Sequence, residues 1–125
     1  MKLELKVMPG LFAVSRLPPD AELPAWAMSG FFRSVSWTRD ELSILCEDSL
    51  VPRDVKSERG WRAFMIEGPL DFKLTGILLK VAEPLALAGI SIFAISTFDT
   101  DYVLVKDKSF AEAKRALAAC GHIIR

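Results

Sequence analysis

The alternation of apolar and polar side chains is most regular in the second half of the chain, where it predicts a β-hairpin. The run 89–98 carries apolar residues on both faces, so we expect a strand that is covered on one side by helices and on the other by the rest of the chain or by a second copy of it. The β-branched and aromatic run 102–105 predicts the partner strand. Asp99, Thr100 and Asp101 are short polar residues that favour a turn between the two strands.

A helix is predicted on each side of this hairpin. Apolar residues recur every three or four positions along 71–88, although Pro84 should kink this helix or end it early. Residues 109–112 form a capping-box sequence that begins a second helix. With apolar runs at 61–67 and 122–124, the order is β-α-β-β-α-β, which predicts an α+β, ferredoxin-like fold with two helices on one face of a four-stranded antiparallel sheet. The first helix should bury Ile77, Leu78, Val81 and Leu85.

The first half of the chain predicts a similar but shorter set of elements, so it resembles an eroded repeat of the second half. Its predicted strands are 2–8, 11–17, 31–38 and 42–47. A short helix should end near Ser29–Gly30, and the polar segment 51–60 is the best candidate for a linker. The strand 2–8 is left to pair either with the sheet of the second half or with a partner molecule.

Composition and charge narrow the class of protein. The chain has 125 residues, enough for one domain or two very small ones. It is 51% hydrophobic and 26% charged, which is ordinary for a globular protein. Lys+Arg and Asp+Glu both number 16, so no basic excess favours nucleic acid or an anionic membrane as a partner. No signal peptide or membrane-spanning run is recognisable, so we expect a cytoplasmic protein.

No combination of residues predicts catalysis, and we expect neither an enzyme nor a cofactor or metal. His122 is the single histidine, and we expect it to be a structural or surface residue. Cys46 and Cys120 lack metal-ligand spacing and should be small core residues. Asp99 and Asp101 form an acidic pair that suits either an acid/base or cation site or simply the hairpin turn.

Two segments of the second half together resemble the ACT domain family. They are 88–91, with the sequence Ala-Gly-Ile-Ser, and 96–102, with the sequence Ser-Thr-Phe-Asp-Thr-Asp-Tyr. The resemblance extends over 61–121 and, more weakly, over 32–46. It is to the branch that contains small bacterial tandem ACT proteins, CASTOR-type arginine sensors and the regulatory regions of aspartate kinases.

The resemblance implies two tandem ACT-like copies, a degenerate one at 1–60 and an ACT domain at 61–125. ACT domains usually bind amino acids at the interface between two copies, so it also implies a homodimer and an unidentified regulated protein. The alternative is an interaction module that has lost its ligand and acts only by dimerising or docking.

The resemblance further implies a ligand site built from three segments, the third of them supplied by a neighbouring copy. Its residues are Gly68, Pro69, Leu70 and Asp71; Ser91 and Ile92; and Thr97, Phe98, Asp99 and Asp101. Backbone N–H groups at a helix start suit the carboxylate of an amino acid, and a side chain such as Asp71 or Asp99 suits its ammonium group.

Overall fold

The computed structural model describes residues 2–67 and 76–125. The chain forms two compact units, one comprising Met1–Pro9 with Arg62–Arg125 and the other Gly10–Trp61. We call the first the flanking unit and the second the inserted unit. The N-terminal strand therefore belongs with the second half of the chain, which was one of the two alternatives left open by the sequence.

The flanking unit is a mixed sheet with two helices. Its elements are β1 (Glu4–Val7), the second part of β5 (Ser57–Ile66), α1 (Ile77–Leu87), β6 (Ile92–Ser96), β7 (Asp101–Lys106), α2 (Phe110–Ala119) and β8 (Ile123–Ile124). The strand order is β6-β7-β5-β1-β8. From β5 onwards this confirms the predicted β-α-β-β-α-β sequence. However, β1 lies antiparallel beside β5, and β8 pairs with β1 in parallel, so the sheet is not purely antiparallel.

Both helices pack on the same face of this sheet, as predicted. Ile77, Val81 and Leu85 of α1 share one core with Ala113 and Leu117 of α2. Strand residues complete that core, including Leu5, Phe64, Ile66, Val103 and Val105. Leu78, which was also predicted to be buried, is only partly covered.

The first helix begins later than predicted. Gly76 has a φ of 75°, in the left-handed region, and α1 begins at the next residue, Ile77. A residue in that conformation cannot continue a right-handed helix. The predicted start at Asp71 lies outside the described residues. At the other end of the chain Ser109 precedes α2 but makes no side-chain cap, so the predicted capping box is not formed.

Pro84 lies inside α1 without ending it, because a histidine compensates for its missing N–H. In a regular helix that N–H would donate to the Lys80 carbonyl. Here His122 Nε2 lies 2.9 Å from the Lys80 oxygen, and His122 Nδ1 accepts the Leu3 N–H at 3.1 Å. Because Nδ1 is an acceptor, the proton is on Nε2, which donates to Lys80. His122 is buried and structural, which is one of the two roles predicted for it.

The inserted unit has its own small sheet. Its elements are β2 (Phe12–Leu17), a 3₁₀ helix (Ala25–Met28), β3 (Ser34–Trp37), β4 (Leu42–Glu47), a 3₁₀ turn (Asp48–Leu50) and the first part of β5. The order is β3-β4-β2-β5. The order β6-β7-β5-β1 in the flanking unit is equivalent. Strands β3, β4 and β2 correspond to β6, β7 and β5, and β1 takes the position that β5 has in the inserted unit.

The predicted linker 51–60 is wrong in its second half, because Ser57 to Gly60 belong to β5. The register between β2 and β5 shifts here, and Gly60 has a φ of 76°. A glycine in this conformation is typical of a β-bulge. The polar composition that indicated a linker thus reflects an irregular strand.

One burial prediction is wrong and another stays a prediction. No residue of β6 is fully buried within the described chain, where this strand pairs only with β7 at the edge of the sheet, so the predicted cover of its second face is left to a second copy. The buried strand of this hairpin is β7, through Val103, Leu104 and Val105. Cys46 is buried as predicted, whereas Cys120 is exposed just after α2.

Candidate functional site

The predicted site residues fall in three places. Gly68, Pro69, Leu70 and Asp71 lie outside the described residues. Ser91 is exposed immediately before β6. Ile92, the first residue of β6, pairs with Val105 and packs against the core. Ser91 is therefore accessible to a ligand, while Ile92 contributes to the fold.

The hairpin turn is tied to the end of β5. Thr97 donates its backbone N–H to the Thr100 carbonyl at 2.8 Å and its hydroxyl to the same oxygen at 3.1 Å. Thr100 is buried, and its hydroxyl donates to the carbonyl of Ile66, the last residue of β5. The turn is thereby fixed beside the point where the chain leaves β5 towards 68–71. The sequence indicated Thr100 only as a turn residue and did not reveal that its side chain is buried.

The two acidic residues of the hairpin are in different environments. Asp101 is the first residue of β7 rather than part of the turn, and its Oδ1 lies 2.5 Å from the Ser96 hydroxyl on the paired strand. Asp99 is exposed in the turn, next to Phe98, which is 79% exposed. Among residues 2–67 and 76–125, no group of His, Cys, Asp or Glu could hold a metal ion. The arrangement favours a turn role for Asp99 over a paired acid/base site.

Ser91 and the hairpin turn lie at opposite ends of β6. Five strand residues separate Ser91 from Thr97, and six steps of about 3.3 Å make the distance roughly 20 Å. One flanking unit therefore cannot bring Ser91 and Asp99 to the same small ligand. The predicted site needs the turn of a second copy, as the sequence analysis assumed, and it stays a prediction.

Two cavities in the described part of the chain lie away from the predicted site residues. A depression of about 250 Å³ in the flanking unit is lined by Leu79, Lys80, Glu83, Pro84, Cys120 and His122. A shallower one of about 170 Å³ in the inserted unit lies among polar side chains that include Ser15, Ser43 and Ser57. No helix within the described ranges is long and apolar enough to cross a membrane.

The hairpin turn of the flanking unit has a counterpart in the inserted unit. Thr38 donates its N–H to the Glu41 carbonyl at 2.9 Å, as Thr97 does to Thr100 at 2.8 Å. Asp40 occupies the position of Asp99 in this turn, and both are exposed. The same local structure therefore recurs at equivalent places in two units with the same strand order.

Two helices on one face of a sheet with this strand order define a ferredoxin-like α+β domain. An ACT domain model matches residues 56–119, and a second model, of an N-terminal domain, matches residues 10–54. The first match covers half of the chain, so the chain belongs to the ACT domain family. The resemblance stated from the sequence is thus confirmed.

Several solved or characterised proteins are similar to this chain. A solved protein from Agobacterium tumefaciens is 40% identical with a TM-score of 0.94, over 100% of this chain and 93% of its own. The human cytosolic arginine sensor for mTORC1 subunit 1 is 48% identical over 48 residues, which are 38% of this chain but only 15% of the sensor. The regulatory subunit of aspartate kinase from Thermus flavus is 10% identical with a TM-score of 0.59, over 96% of this chain and 97% of its own, and shows the fold alone.

Proposed function

We propose that this protein is a regulatory module that binds a free amino acid and has no catalytic activity of its own. Membership of the ACT domain family gives the class. The observation that carries the proposal is the hydrogen bond from Thr100 to Ile66. It holds the hairpin turn beside Ile66, the last residue of β5, and this supports a site to which both the turn and the segment after β5 contribute.

In the proposed site Ser91 of one copy faces segment 68–71 and the turn 97–101 of a neighbouring copy, because the turn and the end of β5 lie at the opposite end of β6 from Ser91. The ligand carboxylate would meet backbone N–H groups and the Ser91 hydroxyl. An exposed carboxylate, Asp99, would meet the ammonium group or a cationic side chain. Because one matched relative is named an arginine sensor, arginine is the first ligand to test.

A site shared between copies requires an assembly, and we propose a two-fold homodimer of chains that each carry two tandem ACT-like copies, of which the first is degenerate. Two-fold dimers are the commonest closed assembly. In the described chain β6 is an edge strand with partly buried Ile92 and Ile95, which suits contact with a second copy. Light scattering should give the mass of a dimer at micromolar concentration, and a monomer would overturn this proposal.

The first experiment is a thermal-shift screen against the twenty amino acids. A ligand that binds only the folded state stabilises it by about 2.7 kcal/mol at a hundredfold excess over its Kd. One amino acid, or a chemically related group, should raise the melting temperature. No shift with any of them would contradict amino-acid binding.

Calorimetric titration with matched variants then locates the site. Ser91→Trp should abolish binding because the indole would fill the space that the ligand occupies. Ser49→Trp, at another exposed serine, is the control and should leave binding unchanged. Asp99→Asn should weaken a zwitterionic ligand by about 1–3 kcal/mol. Asp40→Asn changes the same position of the equivalent turn and should leave affinity unchanged. Equal effects of each variant and its control would place the site elsewhere.

The ligand-free interaction module remains the second candidate, and the exposed hairpin tip favours it. Phe98 is 79% exposed at the end of an edge hairpin, a position suited to contact with another protein. A stable dimer that responds to no amino acid would support this candidate. A ligand from the screen whose binding depends on Ser91 would refute it.

A further inference from the structure

The inserted unit contains a carboxylate held by backbone N–H groups. Glu47, the last residue of β4, places Oε1 2.6 Å from the Phe31 nitrogen and 3.3 Å from the Phe32 nitrogen. Hydrogen bonds from N–H groups to an ionised carboxylate are among the stronger ones in proteins. Two successive amides thus converge on one oxygen.

Gly30 gives this arrangement the form of a cradle. It has a φ of 89°, and a Cβ built on it would lie 2.7 Å from Glu47 Oε1. Any side chain at this position would collide with the carboxylate. Successive N–H groups that follow a left-handed residue form a concavity that binds anions. Residues 30–32 therefore have both the donors and the open space that a carboxylate needs.

The flanking unit has no such carboxylate at the equivalent place. Gly89 also has a positive φ and precedes the corresponding strand, but the next N–H, of Ile90, donates to the Leu85 carbonyl of α1 at 2.9 Å. Lys106, the last residue of β7, is the counterpart of Glu47, the last residue of β4. It follows Gly89 by the same number of residues as Glu47 follows Gly30. The longer helix α1 thus supplies an acceptor for the Ile90 N–H, and the side chain at the position of Glu47 is a cation.

The short 3₁₀ helix of the inserted unit explains the difference. Ala25–Met28 forms a single turn, followed by extended backbone at Ser29. The amides of Phe31 and Phe32 instead receive the Glu47 carboxylate. Erosion of the helix has thus been accompanied by an anion site at its end.

We propose that residues 30–32 form a carboxylate-binding site whose occupant is the chain's own Glu47. The inserted unit is closed to a free carboxylate at this place as long as Glu47 occupies it. An amino acid would therefore bind its carboxylate outside this cradle. The proposal does not rest on amino-acid binding by the flanking unit, because its test uses a simple carboxylate.

The test is chemical rescue of Glu47→Ala by acetate. The variant should melt at a lower temperature than the wild type, and sodium acetate, exchanged for chloride at constant ionic strength, should raise its melting temperature more than that of the wild type. Glu22→Ala, at an exposed glutamate of the same unit, is the matched control and should respond like the wild type. The same acetate dependence in all three proteins would overturn the proposal, because acetate would then act as a general cosolute.

A second measurement keeps the proposal falsifiable if Glu47→Ala does not fold. Glu47→Gln retains the length of the side chain but lacks its charge, so it should hold the two amides more weakly. In amide-resolved NMR spectra, acetate should shift the Phe31 and Phe32 signals of this variant and leave those of the wild type in place. If neither signal moves, residues 30–32 only position the Glu47 side chain and are not a carboxylate-binding site.

Discussion

The His122 bridge yields a prediction that can be worked out from two hydrogen bonds. His122→Ala removes the acceptor of the Leu3 N–H and the donor to the Lys80 carbonyl. Each buried polar group that loses its partner costs about 1–3 kcal/mol. The cavity of about 250 Å³ that His122 lines gives water a route to these groups, so we expect a total loss of roughly 2–4 kcal/mol.

A double-mutant cycle with Pro84 tests the reasoning rather than the magnitude alone. Pro84→Ala restores an N–H that can donate to the Lys80 carbonyl within α1. In that background His122→Ala should leave only the Leu3 N–H without a partner. Its cost should fall by roughly 1 kcal/mol, within the range of couplings between residues of one network.

The assay is urea unfolding followed by tryptophan fluorescence and circular dichroism on the four proteins of the cycle. The free energy of unfolding of each gives the coupling directly. Additive effects of the two substitutions would show that His122 does not compensate for Pro84. A loss below about half a kcal/mol for His122→Ala would refute the bridge itself, because surface substitutions typically fall in that range.

Two further predictions concern the cores of the two units. Leu85→Ala, at a fully buried position of α1, should lower the free energy of unfolding in urea by about 2–5 kcal/mol. Leu87→Ala, at a position that is 83% exposed in the same helix, should lower it little. Equal losses would show that the helix buries a different face. Burial raises the pKa of the Cys46 thiol from 9.0 to about 11, so iodoacetamide should modify exposed Cys120 and spare Cys46 in the native protein at pH 8. The native state holds the Cys46 proton more tightly than the unfolded chain does, so this contribution to stability is full below pH 9.0 and is lost as the pH rises towards 11. Modification of both thiols at equal rates would contradict the protection of Cys46.

Local patterns predicted the elements whose burial is regular. The strand Leu42–Glu47 has the predicted bounds because apolar Leu42, Ile44 and Cys46 stand at every second position, and all three are buried. The stripe of α1 was correct from Ile77 onwards, but its start depended on the backbone conformation of Gly76, which composition does not reveal. Residues 57–60 were mistaken for a linker because an irregular strand carries the glycine and charges that also typify loops.

Pairing between distant segments was beyond the sequence argument. Nothing local indicates that β1 lies between β5 and β8, or that β6 lies at the sheet edge although its residues are apolar. The same holds for the candidate site, where the bond from Thr100 to Ile66 joins residues far apart in sequence. The roles of Glu47 and His122 were missed for the same reason, since each side chain binds backbone groups of other elements.

The place of β1 has a consequence for the order in which the protein can fold during synthesis. The Ile123 N–H donates to the Leu3 carbonyl and the Arg125 N–H to the Leu5 carbonyl, each at 2.8 Å. These contacts join segments that lie far apart in the sequence. The inserted unit is continuous in sequence, so it can complete its sheet before β8 has been synthesised. The flanking unit should therefore be the slower one to form on the ribosome, and β1 should be protected from proteases only once β8 has emerged.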